Sequence, residues 1–484
     1  MNITTPEWVR DAIFYQIFPD RFAQSTRFGK NGYPPKPHNL QPWGETPTVH
    51  GFQGGDLLGV IEKLDYLQDL GVNALYLNPI FSSASNHRYH TFDYYTVDPI
   101  LGGNKAFDEF LNAAHQRGFK VVLDGVFNHA SRGFFQFNHL MECGAESPYT
   151  DWFHVHDWPI NAFNEDEKPN YYAWWGMHSL PKFNTSTPAV REFLWEIATY
   201  WLEKGIDGWR LDVPNEIDDD AFWQEFRKRC KVINPDMYIT GELWGEAHRW
   251  LQGDQFDGQM NYMFTRAALG YFSGDNMDQS DTHRCGYGHM RSLNGHEFAE
   301  EVDRIFTRLY HPDIVLSNMN MLGSHDTPRT ATIARNDLIA LKQMFLFQMT
   351  SPGIPNIYYG DEIGLLGAHD PYCRGAFPWD DSKWNHELRQ FIKKLISLRK
   401  KHAVLRRGAF KIIHATYRSV FYKRVLGEKT AVIAFNSSQE AEQFDGFSDL
   451  PDALINQLDS SEPPLKANQP LTILPKSWQL WINE

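Results

Sequence analysis

The chain has 484 residues, of which 42% are hydrophobic and 22% charged, a balance that excludes a disordered polypeptide and allows two or three structural units. The formal net charge is −14 and there is no basic run, which argues against partnership with nucleic acid and leaves neutral ligands open. No apolar stretch approaches the ~20 residues that cross a bilayer, and the start MNITTPEWVRDAIFYQIF lacks a signal-peptide pattern, so a cytoplasmic protein without membrane contact is expected.

The spacing predicts strands alternating with helices from the first residues on. AIFYQIF (12–18) reads as a strand and LGVIEKLDYLQDLG (58–71) as an amphipathic helix. VNALYLNPI (72–80), helical AFDEFLNAAHQRG (106–118) and the strand FKVVLDGVFNH (119–129) follow. Then come helical PAVREFLWEIATYWLEKG (188–205), strand IDGWRLDV (206–213), helical AFWQEFRKRCKVI (221–233), strand MYITGELW (237–244) and a short strand QFDGQMNY (255–262). Helical HEFAEEVDRIFTRLY (296–310) precedes strand DIVLSNMNMLGSH (313–325). Helical LIALKQMFLFQM (338–349) precedes strand IPNIYYGDE (354–362), and HELRQFIKKLISLRKKH (386–402) closes the series.

Eight near-continuous apolar strands separated by helices predict a parallel sheet covered on both faces, closed as a (β/α)₈ barrel over 1–129 and 187–404. Residues 130–186 show no helical period and are too long for a connection, so an inserted subdomain is expected there. From 405 to 484 the pattern becomes short alternating runs, AFKIIHATY, SVFYKRVL, TAVIAFNS, LTILP and WQLWINE, which predict a C-terminal antiparallel β-sandwich domain. The cysteines at 143, 230, 285 and 373 have neither zinc nor disulfide spacing.

Polar residues concentrate where barrel strands end, the place where barrel enzymes carry their sites. The endings are LDGVFNH, GWRLD, TGELW and LGSHD. Residues two apart on a strand share a face, so Arg210 and Asp212 point into the mouth together, as do Glu242 and Trp244. Taken alone, Arg210 and Asp212 fit a structural ion pair as well as a charged catalytic group. With Glu242 and Asp326 added, acid–base chemistry becomes the better reading. Arg210 is expected to lower the pKa of Asp212, and apolar Leu243 and Trp244 to raise that of Glu242. Such a separation suits an acid and a nucleophile working together.

The segments DGVFNH (124–129), GWRLDVPNE (208–216), GELW (241–244) and LGSHD (322–326) resemble the sequence regions of the α-amylase family of glycoside hydrolases. The resemblance implies Asp212 as nucleophile, Glu242 as general acid and base, and Asp326 as the third carboxylate on the sugar hydroxyls. It implies Arg210 as the residue that orients Asp212, His129 and His325 as sugar-hydroxyl ligands, and Tyr89 as a stacking ring. LPKFN (180–184), VPNE (213–216) and GDEIGLLGAHDPYCR (360–374) resemble segments of cyclomaltodextrinases, neopullulanases and maltogenic amylases. They imply Glu216 and Trp244 on the acceptor side and Asp370 and Arg374 on the donor side. The implied activity is hydrolysis of α-1,4 bonds in small α-glucans, with α-1,6 cleavage and transglycosylation as companions. A glucanotransferase or a trehalose synthase on the same barrel is the alternative.

Those relatives carry an extra N-terminal β-domain, whereas the first barrel strand here begins near residue 12. Either a monomer or a homodimer is therefore expected. His90 stands where many relatives have aspartate. No metal or other cofactor is expected: Asn215-Glu216 and FAQSTRFGKNG (22–32) offer too few oxygens for the six to eight ligands of a structural calcium. The aromatic cluster NYYAWWGMH (170–178) fits sugar platforms and a small core equally.

Overall fold

Eight short strands form one parallel sheet in the order β6-β5-β4-β3-β2-β1-β8-β7. They are β1 Phe14–Ile17, β2 Ala74–Leu77, β3 Lys120–Gly125, β4 Gly208–Leu211, β5 Tyr238–Gly241, β6 Gly258–Gln259, β7 Met319–Met321 and β8 Ile354–Tyr358. A parallel bridge between Met260 and Met319 joins the two end strands and closes the barrel. This computed structural model describes every residue except 1, 2, 31, 452, 460, 462 and 484. Every residue of β1, β2, β4, β5 and β8 is buried, as expected of parallel strands covered by helices.

The α-helices of six or more residues are α1 Leu57–Glu62, α2 Leu64–Leu70, α3 Gly103–Gln116, α4 Phe135–Cys143, α5 Pro188–Glu203, α6 Asp220–Ile233, α7 Tyr262–Phe272, α8 Gly295–Asp303, α9 Pro312–Ser317, α10 Leu338–Thr350 and α11 His386–Lys401. Their ends are written locally. The Asp219 carboxylate accepts the Phe222 N–H to start α6. Asn294 and Glu297 form a reciprocal capping box on α8, and Gly71, at φ +101°, ends α2. Among the described residues no helix is long and apolar enough to cross a membrane.

Three elements differ from the sequence expectation. The run 313–325 is a helix before it is a strand: Pro312 opens α9, Ile314 and Val315 are buried, and only Met319–Met321 pairs in the sheet. A short apolar run does not by itself reveal which of the two it is. Helix α7 was not expected because ten of its eleven residues are buried, so it has no polar face to give a period. The stretch 130–186 holds the nine-residue helix α4. The bridges His129–Lys182, Phe153–Phe183, Val155–Tyr171 and Ala173–Pro181 then fold its remainder back onto the end of β3.

Beyond α11 the chain forms an antiparallel sheet of β9 Ala409–Ala415, β10 Ser419–Leu426, β11 Lys429–Asn436, β12 Ile455–Asn456 and β13 Ser477–Ile482, ordered β9-β10-β11-β13-β12. One apolar core runs from the barrel helices into it: Phe435 meets Phe272 edge-on at 4.9 Å, and Tyr422 lies 6.3 Å from Phe347. Arg399 and Arg424, both fully buried, bridge the two parts through backbone carbonyls. Arg399 donates to the carbonyls of Met349, Ser351, Gly353 and Leu405, and Arg424 to those of Thr350, Leu405 and Gly408.

Candidate active site

Strand register brings the polar ends to one level. Asp124 on β3 lies opposite Arg210 on β4, which lies opposite Thr240 on β5. Arg210 is fully buried, and its guanidinium is the hub. Nη1 donates to Asp124 Oδ1 at 2.9 Å and to Asp212 Oδ1 at 3.1 Å. Nη2 forms an ion pair with Glu242 Oε2 at 3.0 Å. Two carboxylates from successive strands therefore share one rigid fork. Glu242 also accepts the Val213 N–H at 3.1 Å and the Trp244 indole N–H at 3.1 Å.

Asp326 approaches from beyond β7 and is the open member of the set. Its side chain is 30% exposed, against 10% for Asp212 and 7% for Glu242. Arg374 donates to it at 3.2 Å and pairs with Asp370 at 2.9 Å. His325 is buried between Gln16, which donates to its Nδ1 at 3.0 Å, and Tyr89, whose oxygen lies 2.6 Å from its Nε2. The Gln16 contact places the ring proton on Nε2. Tyr89 lies parallel to His325 with centroids 5.5 Å apart and donates its hydroxyl to Asp124 at 2.8 Å. His129 is buried at the end of β3; Asn128 donates to its Nδ1 at 3.2 Å, and its Nε2 has no partner among the described residues.

Beside His129, whose backbone is bridged to Lys182, Glu216 pairs with Lys182 at 2.8 Å. Both line a groove of ≈ 1060 Å³ whose other walls include Tyr172, Trp174 and Trp175. Trp174 stacks on His129 at 5.4 Å and on Trp175 at 4.5 Å. Phe137, Phe153 and Tyr171 supply the small core of the insertion, while Trp175 is 78% exposed. The cluster at 170–178 is thus both core and surface ring. Trp244, implied on the acceptor side, packs closely against two neighbours. Tyr262 lies flat on it at 3.6 Å and Gly286 packs against its six-membered ring, leaving the indole half-buried.

The electrostatics also depart from expectation. Burial and the neighbouring Glu242 carboxylate push Asp212 well above the usual carboxylate range, and Arg210 does not reverse this. The reason is division: one guanidinium faces Asp124, Asp212 and Glu242 together. Glu242 is raised in the direction anticipated, by burial and by Asp326 against the pull of Arg210, but Trp244 lowers it through its N–H rather than raising it. Asp326 is raised by burial against Arg374 and Arg210. The cluster therefore shares protons among its carboxyls. Burial pushes His129 down to about 3 and holds His325 well below the usual range, so both are neutral.

Sequence reasoning passed over several contributors. Lys182 stands inside the quoted LPKFN, yet nothing in its spacing shows that it pairs with Glu216. Tyr76 donates to Asp124 at 2.6 Å; its place on an inward-facing position of β2 was the available signal. Asp124 is a full partner of Arg210 as well as part of the strand architecture.

A buried arginine holding three carboxylates at the mouth of a parallel barrel, with Asp326 as a fourth on the loop beyond β7, is the arrangement of a carboxylate-dependent glycosidase. The chain belongs to the α-amylase family: residues 16–398 match the family model described as alpha amylase, catalytic domain. It is 43% identical over 441 residues to a cyclomaltodextrinase of Geobacillus thermopakistaniensis (strain MAS1), covering 90% of this chain and 70% of that protein. It is 40% identical over 444 residues to neopullulanase 2 of Thermoactinomyces vulgaris, covering 90% and 71%. The crystal structure of a debranching enzyme from Nostoc punctiforme superposes with a TM-score of 0.89 at 42% identity, covering 100% of both chains.

Proposed function

We propose that this protein hydrolyses α-1,4-glucosidic bonds of small α-glucans with retention, through a glycosyl intermediate on Asp212. The observation that carries the reading is the shared Arg210 fork, which holds Asp212 and Glu242 at one point of the barrel mouth. Retention needs two carboxyls about 5–5.5 Å apart, one attacking the anomeric carbon and one protonating the leaving oxygen. Asp212, at the end of β4, takes the first role. Glu242 takes the second: it gives its proton to the departing sugar and then draws one from the incoming acceptor. Asp326, the most exposed of the three acids, and Arg374, buried beside it, hold hydroxyls of the distorted ring. With Nδ1 accepting from Asn128, Nε2 of His129 carries the ring proton and is a donor for one of these hydroxyls.

A sugar hydroxyl competes with water for the intermediate, so transglycosylation accompanies hydrolysis. Relatives named cyclomaltodextrinase and neopullulanase, and a structural relative named debranching enzyme, support cyclic, α-1,4- and α-1,6-linked α-glucans as substrates.

Replacing each acid separately tests both the reading and the roles. Asp212→Asn should lower turnover of maltotriose and of α-glucosyl fluoride alike, by at least roughly 10³-fold. Glu242→Gln should lose maltotriose turnover to a similar degree but keep most of its attack on the fluoride, whose leaving group needs no acid. The reverse pattern would exchange the roles, and a fully active Asp212→Asn would end the proposal. No structural calcium is part of this reading: Glu216 is committed to Lys182, and residues 22–32 contain no carboxylate. Treatment with EDTA should leave Tm unchanged; a large fall would show a cation holding the fold.

A further inference from the structure

Trp244 is fixed with unusual completeness for a residue at a cleft edge. The chain leaves β5 at Gly241, buries Leu243 and turns the indole of Trp244 back so that Nε1 reaches Glu242 Oε1 at 3.1 Å. Tyr262, the first residue of α7, covers one face, with centroids 3.6 Å apart and planes 7° from parallel. On the other side, a β-carbon built on Gly286 would lie 2.5, 2.7 and 2.9 Å from Cε3, Cζ3 and Cδ2. Three adjacent ring atoms at near-equal distance place the glycine over the face of the ring, and carbon contacts are normally about 3.5–4.0 Å. The Gly286 backbone therefore rests flush on the indole.

The surroundings keep this sandwich shut. Arg266 on α7 donates to the Gly286 carbonyl, and Tyr287 meets both Trp244 and Tyr262 edge-on, at 5.8 and 6.2 Å. Gly286 is not among the glycines with positive φ, so a left-handed backbone does not stand in the way of a side chain there. The atoms nearest an added β-carbon all belong to the indole.

We propose that Gly286 and Tyr262 are positioning residues: together they clamp Trp244 so that its N–H stays on the carboxyl of Glu242. This rests on Glu242 being the general acid. The clamp matters because Glu242 faces the carboxylates of Asp212 and Asp326, the Arg210 guanidinium, the Val213 N–H and the hydroxyl-bearing ring of Tyr262. Like the Val213 N–H, the indole N–H is a neutral donor that stabilises the ionised form without repelling a neighbour. Losing it raises the pKa of the acid and moves the alkaline limb of kcat/KM to higher pH.

The test compares pH profiles of purified variants on maltotriose. Trp244→Phe removes the donor and should move the alkaline limb up by about one pH unit, the value of a hydrogen bond to a charged group. Gly286→Ala should produce the same shift, and the double variant should show no more than either alone. Tyr262→Leu should shift the limb while Tyr262→Phe, which keeps the ring, leaves it in place; this pair decides the matter if Gly286→Ala does not fold. An unmoved limb in Gly286→Ala, shifts that add in the double variant, or equal shifts in both Tyr262 variants would overturn the clamp. The role of Glu242 is judged separately, by Glu242→Gln, so either idea can fail alone.

Discussion

Arg210 divides one positive charge among three carboxylates, and that division explains most of the residue-level behaviour of the site. A lone Arg–Asp pair would hold the acid ionised; here burial and mutual repulsion prevail and the cluster shares protons. The residue types were legible in the sequence because four apolar runs each ended in an acid. Their charge states were not, since they depend on how many partners meet at one guanidinium. His129 offers a measurable consequence. Burial depresses its pKa to about 3, so below the ordinary value near 6.5 the unfolded chain takes up a proton that the folded one refuses. Its contribution is complete above pH 6.5 and is lost as pH falls toward 3. Between pH 6.5 and 5 the native protein should lose about 2 kcal/mol more stability than His129→Gln. Urea unfolding at both pH values would measure the difference, and parallel losses would contradict it.

Among the elements, the turn after β4 shows how backbone serves the site. Val213 sits at φ +35°, ψ +51°, a left-handed conformation that is rare for a β-branched residue and further disfavoured before proline. That turn aims the Val213 N–H at Glu242 and carries the chain into the short helix Pro214–Glu216, where Glu216 meets Lys182. Strain of this kind costs of order 1–3 kcal/mol and persists where surroundings impose it. Val213→Gly should leave the unfolding free energy within about 1 kcal/mol of the parent, because relief of strain offsets lost packing and greater unfolded-chain freedom. It should also lower kcat several-fold by loosening the N–H on Glu242. Thermal melts beside steady-state rates would check both halves; a large loss of stability would show that the strain is absent. Helix α7 makes the converse point. It supplies Tyr262 to the site, yet burial on nearly every side erased the period by which helices are read.

Across the whole molecule, barrel and C-terminal sheet share one core, and the buried arginines Arg399 and Arg424 tie them through carbonyls rather than carboxylates. The two parts should therefore melt together. Arg424→Met would strand the carbonyls of Thr350, Leu405 and Gly408, each loss of a buried partner costing about 1–3 kcal/mol. Calorimetry should show one transition at lower temperature. A separate early transition of the sheet would mean that the shared core does not couple them.

The order of strands and helices, the switch to short alternating runs near residue 405 and the four acidic strand ends were determined by the sequence itself. Hydrophobic period and strand-end chemistry are local properties, written within ten or fifteen residues. The Arg210 fork, the Lys182–Glu216 pair, the neutral histidines and the closed sandwich around Trp244 were decided only by tertiary structure. Each depends on distances between segments far apart in the chain, and a charge or a ring face has no fixed character until its neighbours are in place.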